Sequence, residues 1–352
     1  MNLLDNPQSF RHGKPTIPYS RQLISETDNQ AVWDSLASEW ISGDGPIAER
    51  FEKELASVAG FADAVVVNNG TAALHLAIRA IWRRPQAVTL PVLTFVATAN
   101  MLLQEQHTPS FVDIHPRKLI TNATDITVDF AGWPSIGGKL IDASHSLRPN
   151  MNKHRALAVT TSFHAVKNSV VTGEGGAILT DDKELAKALR LWRSHGLDEN
   201  KEMIAFGWNY RLPDYSCALG LSQLGLLESA IQRRRQIAQY YLAEFEENPY
   251  LEVPAWHDEH TFHLFVLRLN GIDREAFRHE LNANGIGTQI HYKPLHMQPF
   301  YKEKYNLPDD TFSYALDAYR RMVSIPIWNG MTDDMIDDVV RTVNWTIEKL
   351  AR

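Results

Sequence analysis

Seven short apolar segments alternate with longer stretches of helical periodicity, and this alternation limits the possible folds more than any other feature of the chain. The segments span residues 64–67, 87–90, 110–112, 126–128, 140–141, 157–160 and 177–179. Short buried strands that alternate with helices are typical of a mostly parallel sheet with helices on both faces. The sequence therefore predicts an α/β fold with ligands bound at the carboxyl ends of the strands.

The segments on either side of the alternating region predict its boundaries. Residues 22–58 have apolar side chains at helical spacing, which indicates an N-terminal arm and helix over residues 1–60. Residues 215–246 have the periodicity of one long helix. We expect this helix to end a large cofactor-binding domain that spans residues 61–246.

The C-terminal part, residues 247–352, is predicted to form a small α+β domain. Its pattern indicates two strands and two helices, at residues 262–269 and 286–291 and at residues 274–283 and 333–350. The acidic first turn of the last helix complements the helix dipole.

The composition excludes several classes of protein. Of the 352 residues, 44% are hydrophobic and 22% are charged, and no apolar run approaches the ~20 residues that cross a bilayer. The formal net charge of −7 disfavours nucleic-acid binding, which requires a clustered basic surface. The basic cluster at residues 233–235 is predicted to lie on a solvated helix face, although one member could reach an anionic substrate.

The N-terminus and the cysteine content bear on the compartment. Residues 1–14 are polar, and the chain has one cysteine, Cys217. We therefore expect a cytoplasmic protein without an internal disulfide, and Cys217 is predicted to be a small buried hydrophobe. No Cys and His spacing of the zinc-binding type is present, so no metal is expected.

One lysine is distinguished by its neighbours. Lys167 ends a Ser-Phe-His-Ala-Val-Lys motif, and a Glu-Gly-Gly turn follows at residues 174–176. Most lysines are solvated surface charges, so this motif alone is a weak signal. Upstream, however, residues 69–74 form a turn into an apolar helix, and Asp142 ends an apolar run. A phosphate cup, a buried carboxylate and an amine are the three groups that pyridoxal phosphate (PLP) needs.

The turn into the helix is the candidate phosphate site. Gly70, Thr71 and Ala72 supply free backbone N–H groups and one hydroxyl at a helix N-terminus, where a phosphate monoester binds well. A plain strand-to-helix turn is the alternative. Ser162 is a candidate to add a second hydroxyl to the same phosphate.

Asp142 is the candidate partner of the cofactor ring. A buried carboxylate needs a cationic partner, and a protonated pyridine nitrogen is such a partner. A helix cap or a surface aspartate is the alternative. Phe95 is a candidate to stack on the ring, or else to pack in the core. His145 and His164 are secondary candidates for cofactor contact, because histidines at strand ends are more often structural.

These residues resemble the motifs of the DegT/DnrJ/EryC1/StrS family of nucleotide-sugar aminotransferases, which have the PLP-dependent aspartate-aminotransferase fold (fold type I). The resemblance runs over nearly the whole chain. The matching segments are residues 45–52, 69–74, 142–145, 162–167, 172–176, 193–196, 209–211, 218–221 and 291–294.

The resemblance implies that Lys167 and Asp142 are catalytic, that PLP cycles through pyridoxamine phosphate, and that glutamate is the amino donor. It also implies a homodimer with shared active sites, in which Asn209 reaches the phosphate site of the partner chain. Some relatives carry histidine in place of the lysine and act as dehydratases. A PLP-dependent sugar dehydratase or a non-catalytic regulatory protein of the same fold is therefore the alternative, and Lys167 favours amino transfer.

Within the family, some segments look closest to the members that aminate C4 of a UDP-linked 4-keto-6-deoxy-hexose on the route to pseudaminic acid. These segments are residues 94–103, 128–132, 162–167 and 291–294. The implied substrate is a nucleotide-linked keto-sugar. The candidate contacts for the sugar and the nucleotide are Tyr19, His291, Tyr292 and Lys293.

The chain departs from the family pattern by being shorter within residues 113–142 and within residues 145–162. Only residues 132–138 join two strands that a helix normally connects. A parallel pair usually requires a longer crossover, but an extended link of this length can span about 20 Å. We expect the sheet to survive while one covering helix is lost.

Overall fold

The computed structural model describes residues 10–11, 14–15, 17–121, 124–152, 156–169 and 171–352. Within these residues, no helix combines the length and the apolar composition that crossing a membrane requires. The first elements are a short antiparallel pair and two helices: β1 (Phe10–Arg11), β2 (Lys14–Pro15), α1 (Glu26–Leu36) and α2 (Pro46–Ala59).

The two N-terminal helices differ in how they use their apolar residues. A capping box between Ser25 and Asp28 begins α1, and Gly60, with a φ of 82°, ends α2. Trp33 of α1 is 67% exposed, whereas Phe51 of α2 is fully buried. The predicted apolar face of the first helix is therefore at the surface of the chain, and that of the second belongs to the core.

All seven predicted strands of the large sheet are present. They are β3 (Asp63–Val67), β4 (Ala87–Pro91), β5 (Thr108–Val112), β6 (Ile126–Val128), β7 (Leu140–Asp142), β8 (Ala158–Ser162) and β9 (Gly176–Thr180). Five of them pair in the order β3-β9-β8-β7-β6, and β4 pairs with β5. Strand β9 is antiparallel to both of its neighbours, and the other three pairs are parallel. The predicted mostly parallel sheet is confirmed.

Side chains join the β4–β5 pair to the rest of the sheet. Thr89 of β4 donates from its backbone N–H and its hydroxyl to Oδ2 of Asp125, over 3.1 and 2.9 Å. The backbone N–H of Asp125 donates in return to the Thr89 hydroxyl over 2.8 Å. Because Asp125 immediately precedes β6, this reciprocal pair sets β4 beside β6 where no backbone ladder forms.

Helices cover both faces of the sheet, as predicted. They are α3 (Gly70–Ile81), α4 (Val96–Gln104), α5 (Lys183–Arg193), α6 (Asp214–Gly225) and α7 (Leu227–Phe245). Successive side chains of a strand point to opposite faces, and on β3 Val65 packs in the same core cluster as Leu74 of α3. Its neighbour Val66 packs with Phe51 of α2 and with Cys217 of α6. Cys217 is fully buried, as predicted.

The prediction of one helix over residues 215–246 was wrong, because the structure has two helices that meet at Leu226. The N–H of Leu226 bonds to Gln223 three residues back, which tightens the last turn of α6. Gly225, the residue before the break, has a low helix propensity. The apolar periodicity of the sequence continues across the break, so this pattern could not reveal that the helix ends there.

The shortened connection between β6 and β7 contains no α-helix. It runs through one 3₁₀ turn, Phe130–Gly132, and an irregular stretch, yet β6 and β7 pair in parallel with Val128 opposite Asp142. The expectation that the sheet survives the loss of one helix is confirmed. The backbone N–H groups of Thr261 and Leu264 donate to carbonyls of this connection over 3.0 and 3.2 Å. The C-terminal part of the chain therefore packs directly against the connection.

A buried polar network holds the same connection. Asp129 is 3% exposed and accepts from the backbone N–H and the hydroxyl of Ser135, over 2.8 and 2.5 Å. Its other oxygen accepts from the Ser146 hydroxyl and lies 3.6 Å from Nη1 of Arg148. Because Arg148 is also buried, the two opposite charges compensate each other in the interior.

The C-terminal part contains a three-stranded antiparallel sheet and four helices. They are β10 (Leu251–Glu252), β11 (Phe265–Leu269), β12 (Met322–Ile325), α8 (Arg274–Ala283), α9 (Pro299–Tyr305), α10 (Ser313–Arg321) and α11 (Asp333–Leu350). The two predicted helices are confirmed as α8 and α11. The core cluster under α3 also includes Leu264 and Met322 of this part, so the domain boundaries at residues 60 and 246 stay a prediction.

Two further predictions were wrong. Residues 286–291 form isolated bridges in place of a strand, because Ile286 pairs with Ile17 while Gln289 pairs with Ser324 on a different element. Arg234, the middle residue of the basic cluster, is 1% exposed and donates to the carbonyl of Ile327 over 2.7 Å. Neighbouring residues of a helix point about 100° apart, so three consecutive arginines cannot share one solvated face.

Candidate active site

A cavity of about 1150 Å³ lies at the carboxyl ends of β3, β7 and β8. Twelve of the predicted site residues line it: Tyr19, Gly70, Thr71, Ala72, Phe95, Asp142, His145, Ser162, His164, Lys167, His291 and Tyr292. Strands β7 and β8 end at two of these residues, Asp142 and Ser162. The sheet therefore brings together side chains that lie far apart in sequence.

The N-terminus of α3 forms an anion-binding cup at one end of the cavity. Asn69 caps the helix, because its side chain accepts from the N–H of Ala72 over 2.8 Å and its carbonyl accepts from Ala73. The N–H groups of Gly70 and Thr71 have no hydrogen-bond partner within the described residues. Two free donors and the helix dipole therefore point at the cavity.

Glycine is required in the cup because other segments of the chain approach it closely. A Cβ at Gly70 would lie 2.9 Å from Cβ of Ser162, and a Cβ at Gly176 would lie 2.6 Å from the carbonyl carbon of Asn69. Ser162 therefore sits against the cup, as predicted. Its hydroxyl oxygen accepts from the N–H of His164 over 3.3 Å, so its own hydrogen stays available for a ligand oxygen.

Asp142 presents a buried carboxylate at the floor of the cavity and is 5% exposed. Oδ1 accepts from the N–H and the hydroxyl of Ser144 over 3.2 and 2.6 Å, and Oδ2 accepts from the hydroxyl of Thr98 over 2.8 Å. Within the part of the chain that the structure describes, no cation lies within ion-pair distance of this carboxylate. A buried carboxylate that has no cation of the protein beside it is well suited to pair with a cationic atom of a ligand.

Lys167 presents the only lysine amine that lines the cavity among the described residues. Its backbone N–H donates to the carbonyl of His164 over 2.8 Å, which closes a turn just after β8. Burial lowers the pKa of the amine to about 8, and the charge of Asp142 opposes this effect. A larger neutral fraction at neutral pH makes the amine a better nucleophile and base.

Aromatic side chains form the walls between the cup and the amine. Phe95 is 54% exposed and lines the cavity, so it is not a core residue. Its ring centroid lies 5.6 Å from that of Tyr292. Burial raises the pKa of the Tyr292 hydroxyl, so this group stays protonated. Phe95 therefore presents exposed aromatic surface in the cavity.

The hydrogen bonds of His145 define its tautomer. The backbone N–H of Ala131 donates to Nδ1 over 3.2 Å, so the proton of the neutral ring lies on Nε2. Nε2 is 3.3 Å from the hydroxyl oxygen of Tyr292 and donates to it. Burial and the charge of Lys167 lower the pKa of His145 well below its ordinary value, so the ring is neutral.

The remaining predicted contacts lie near the cavity opening and on the C-terminal side. Nε2 of His164 is 3.7 Å from Oε1 of Glu174, and both side chains are largely exposed. The rings of Tyr19 and His291 lie 5.6 Å apart, and Nδ1 of His291 is 2.8 Å from the Ser324 hydroxyl. Tyr19, His164 and His291 all line the same cavity as Lys167, and their contacts with a substrate stay a prediction.

Two predicted residues do not line the cavity. Lys293 follows Tyr292 but its side chain is not part of the cavity wall. Asn209 is exposed, while Trp208 and Tyr210 on either side of it both line the cavity. Its predicted role concerns a partner chain, so it stays a prediction.

Sequence reasoning missed several groups that line the cavity. His75, one turn into α3, bonds to the hydroxyl of Tyr210 over 3.0 Å and to Glu105 over 2.8 Å. His263 lies against His145, with ring centroids 4.3 Å apart. His75 lies within an apolar helix, and His263 lies just before a strand. The sequence pattern at both positions favours a structural role. Their closeness to the motif residues arises from tertiary structure alone.

The donor set fits PLP. The two free N–H groups of the cup and the Ser162 hydroxyl match a phosphate, and the carboxylate of Asp142 matches a protonated pyridine nitrogen. Lys167 supplies the amine that PLP enzymes join to the cofactor, and Phe95 supplies an aromatic face. The sheet and this set of groups define a PLP-dependent enzyme of fold type I.

The chain belongs to the DegT/DnrJ/EryC1/StrS aminotransferase family, whose sequence model matches residues 22–128 and 140–344. The protein is thus a PLP-dependent aminotransferase. The internal segment without a match, residues 129–139, is the connection that lacks a helix. One of the two predicted departures from the family pattern falls here, and the other, within residues 145–162, lies inside the matched range.

Individual relatives resemble the chain over almost its whole length. The spore coat polysaccharide biosynthesis protein SpsC of Bacillus subtilis is 34% identical over 93% of this chain and 96% of its own. The UDP-4-amino-4,6-dideoxy-N-acetyl-beta-L-altrosamine transaminase of Campylobacter jejuni is 33% identical over 96% of this chain and 99% of its own.

Among solved structures, Helicobacter pylori PseC, an aminotransferase involved in the biosynthesis of pseudoaminic acid, superposes with a TM-score of 0.85 at 30% identity. The match covers 95% of this chain and 100% of PseC. Spr1654 of Streptococcus pneumoniae, in its PMP form, reaches a TM-score of 0.88 at 24% identity, with 96% and 98% coverage, and shares the fold.

Proposed function

We propose that the protein transfers an amino group from glutamate to C4 of a UDP-linked 4-keto-6-deoxy-hexose and so makes an amino sugar for surface glycans. The observation that carries the proposal is the meeting of Lys167, Asp142 and the Gly70–Thr71 donors in one cavity. These groups are the minimum for aminotransfer, and the cavity leaves ample room beyond them for a nucleotide sugar.

Each of these groups has a distinct task. Bound PLP supplies a carrier for the amino group and a ring that withdraws electrons from the adjacent carbon. Asp142 would keep the nitrogen of the bound ring protonated, and the hydrogen bonds from Thr98 and Ser144 hold its carboxylate in place for this task. The neutral amine of Lys167 takes a proton from the α-carbon of glutamate and returns one to the sugar carbon. The cup fixes the phosphate end.

The names of the relatives support the choice of substrate. The Campylobacter jejuni relative is named for a UDP sugar with an amino group at C4, and PseC takes part in the biosynthesis of pseudoaminic acid. The cavity also contains neutral polar groups suited to sugar hydroxyls, among them the hydroxyls of Tyr19 and Tyr292. The name of the Campylobacter jejuni relative therefore favours a C4 amine on a UDP sugar.

A homodimer with shared active sites is part of the proposal. Asn209 faces away from its own cavity, although both of its neighbours line that cavity. Apolar side chains just before it are exposed: Met203 at 67%, Ile204 at 62% and Phe206 at 60%. Such a surface suits burial against a second copy, and an amide donates to a phosphate oxygen without adding charge.

Amino transfer is favoured over the dehydratase and regulatory alternatives because Lys167 is retained at the position where dehydratases carry histidine. A cytoplasmic location is supported by the single, buried cysteine, which suits a reducing compartment.

The test separates the two halves of the reaction. Protein loaded with PLP is mixed with glutamate alone, and we expect one 2-oxoglutarate per bound cofactor. The pyridoxamine phosphate form is then mixed with a panel of nucleotide keto-sugars, and the products are identified by mass spectrometry. Failure to form 2-oxoglutarate would contradict glutamate as donor. Amination at another carbon, or of no UDP sugar, would contradict the substrate.

A further inference from the structure

His263 lines the cavity but has no part in holding the cofactor as described above. It lies two residues before β11, and its side chain is 3% exposed. Its ring centroid is 4.3 Å from that of His145. A polar ring this deeply buried needs a defined hydrogen-bond partner for each of its nitrogen atoms.

Asn168 determines which nitrogen of His263 carries the proton. The amide Nδ2 of Asn168 donates to the carbonyl of His145 over 3.5 Å, which fixes the orientation of the amide. Its Oδ1 lies 3.2 Å from Nδ1 of His263. An amide oxygen can only accept, so Nδ1 of His263 carries the hydrogen and donates it.

Nε2 of His263 therefore presents a lone pair to the cavity. The ring is neutral, because burial, together with the charge of Lys167, lowers its pKa well below the ordinary value. Within the described residues, no group donates to Nε2. The cavity wall thus contains an acceptor that is open to a ligand donor.

This acceptor lines the same cavity as the reacting amine. Asn168, which holds His263, is the residue directly after Lys167 in the chain, and the charge of Lys167 acts on the His263 ring. The keto carbon of a substrate must approach the same amine to react. The carbons next to the keto group therefore enter the cavity that His263 lines.

The chemistry of the acceptor selects the substituent. A bare lone pair attracts a hydroxyl or an N–H and repels carboxylate, carbonyl and phosphate oxygens. In a 4-keto-6-deoxy-hexose, C3 carries a hydroxyl and C5 carries a methyl group. Of these two neighbours of the keto carbon, the C3 hydroxyl alone can donate.

We propose that Nε2 of His263 accepts a hydrogen bond from the hydroxyl next to the keto carbon, and that this contact makes the enzyme select keto-sugars that carry such a hydroxyl. The inference rests on the proposed function, because it assumes a nucleotide-linked keto-sugar as the amino acceptor. His263 is then a specificity-determining residue, which touches the sugar and leaves the proton transfers to Lys167.

A double-mutant cycle between enzyme and substrate tests the contact. The enzymes are the wild-type holoenzyme and His263→Phe, and the substrates are a UDP-linked 4-keto-6-deoxy-hexose and its 3-deoxy analogue. The wild type is expected to prefer the hydroxyl-bearing sugar about 10- to 100-fold in kcat/KM, the range expected for one buried hydrogen bond. His263→Phe should lose this preference and retain its rate with the 3-deoxy sugar.

A matched control is available on the same segment. His260 is 2% exposed and outside the cavity, and its Nδ1 accepts from the N–H of Phe262 over 2.9 Å. His260→Phe should keep the preference for the hydroxyl even if it lowers stability. An equal loss of rate on both sugars in His263→Phe, with the preference intact, would overturn the inference.

The half-reaction with glutamate distinguishes the possible failures. His263→Phe should form 2-oxoglutarate at the wild-type rate, since glutamate does not use the contact; a large loss there would assign His263 to the cofactor and overturn the inference. If the wild type aminates no nucleotide keto-sugar at all, the proposed function fails first.

NMR of ¹⁵N-histidine in the holoenzyme gives an independent readout. It should show Nε2 of His263 without a proton, and a protonated Nε2 would also overturn the inference.

Discussion

The Thr98 hydroxyl donates a 2.8 Å hydrogen bond to Oδ2 of Asp142, and the Thr94 hydroxyl, 3.2 Å away, supports it from the other side. Both threonines are buried. This chain of hydroxyls connects the start of α4, which also carries Phe95, to the carboxylate at the end of β7. Asp142 and the segment that carries Phe95 are therefore connected by one hydrogen-bonded unit.

Asp142→Asn is expected to lower turnover by at least about 100-fold, because a neutral amide cannot keep the pyridine nitrogen protonated. Thr98→Val should cost about 10-fold, since it leaves the charge and removes one of its hydrogen bonds. Steady-state kinetics of both variants, with thermal melting to check the fold, measures the effects. Near-normal turnover of Asp142→Asn would mean that another group holds the ring.

Lys167→Ala is expected to abolish turnover and the covalent attachment of PLP. Borohydride reduction of the wild-type holoenzyme, followed by peptide mass spectrometry, should place the pyridoxyl group on Lys167. The variant should bind PLP without becoming labelled, because the cup and Asp142 remain. Label on another lysine would contradict the assignment.

The pKa of Lys167 predicts how the stability of the apoprotein depends on pH. Burial lowers this pKa from its ordinary value of 10.5 to about 8. Between these values the unfolded chain binds more protons than the folded one, so this group makes stability rise with pH from about 8 to about 10. Below pH 8 the cost of burying the ammonium is fully present. Lys167→Met should therefore raise the melting temperature of the apoprotein at pH 7.

The gain in melting temperature of Lys167→Met over the wild type should shrink toward pH 10, where the native amine is neutral. Thermal melting of both apoproteins at several pH values measures this. A gain of the same size at every pH would indicate better packing by methionine and would contradict the electrostatic origin.

The sequence predicted the parts of the site that lie in short motifs at strand ends. Asp142 and Ser162 end buried strands, and Gly70 begins a helix, so the position of each follows from the general geometry of an α/β sheet. The roles of His263 and His75 could not be predicted, because they depend on partners distant in sequence. Asn168 follows Lys167 directly and carries no recognisable signal until His263 is brought against it.

Arg148→Met tests the network that replaces a helix beside the sheet. The substitution leaves the buried carboxylate of Asp129 without its cation and is expected to cost about 3–5 kcal/mol of unfolding free energy. The double variant Asp129→Asn, Arg148→Met should recover part of this loss, because no buried charge is left unpaired. Urea unfolding of the three proteins gives the comparison. An additive loss in the double variant would show that the two charges do not interact.

The shared active site predicts complementation between two inactive chains. A Lys167→Ala chain retains Asn209, and an Asn209→Ala chain retains Lys167, so a heterodimer contains one site with both residues intact. Random mixing gives about half heterodimers with one intact site each, so about a quarter of wild-type activity is expected. The activity of the mixture is compared with that of each variant alone, and mass spectrometry of the intact assemblies measures the heterodimer fraction. The prediction is contradicted if each variant alone is inactive, heterodimers form, and the mixture is still inactive. Asn209 would then have no role in the partner's active site.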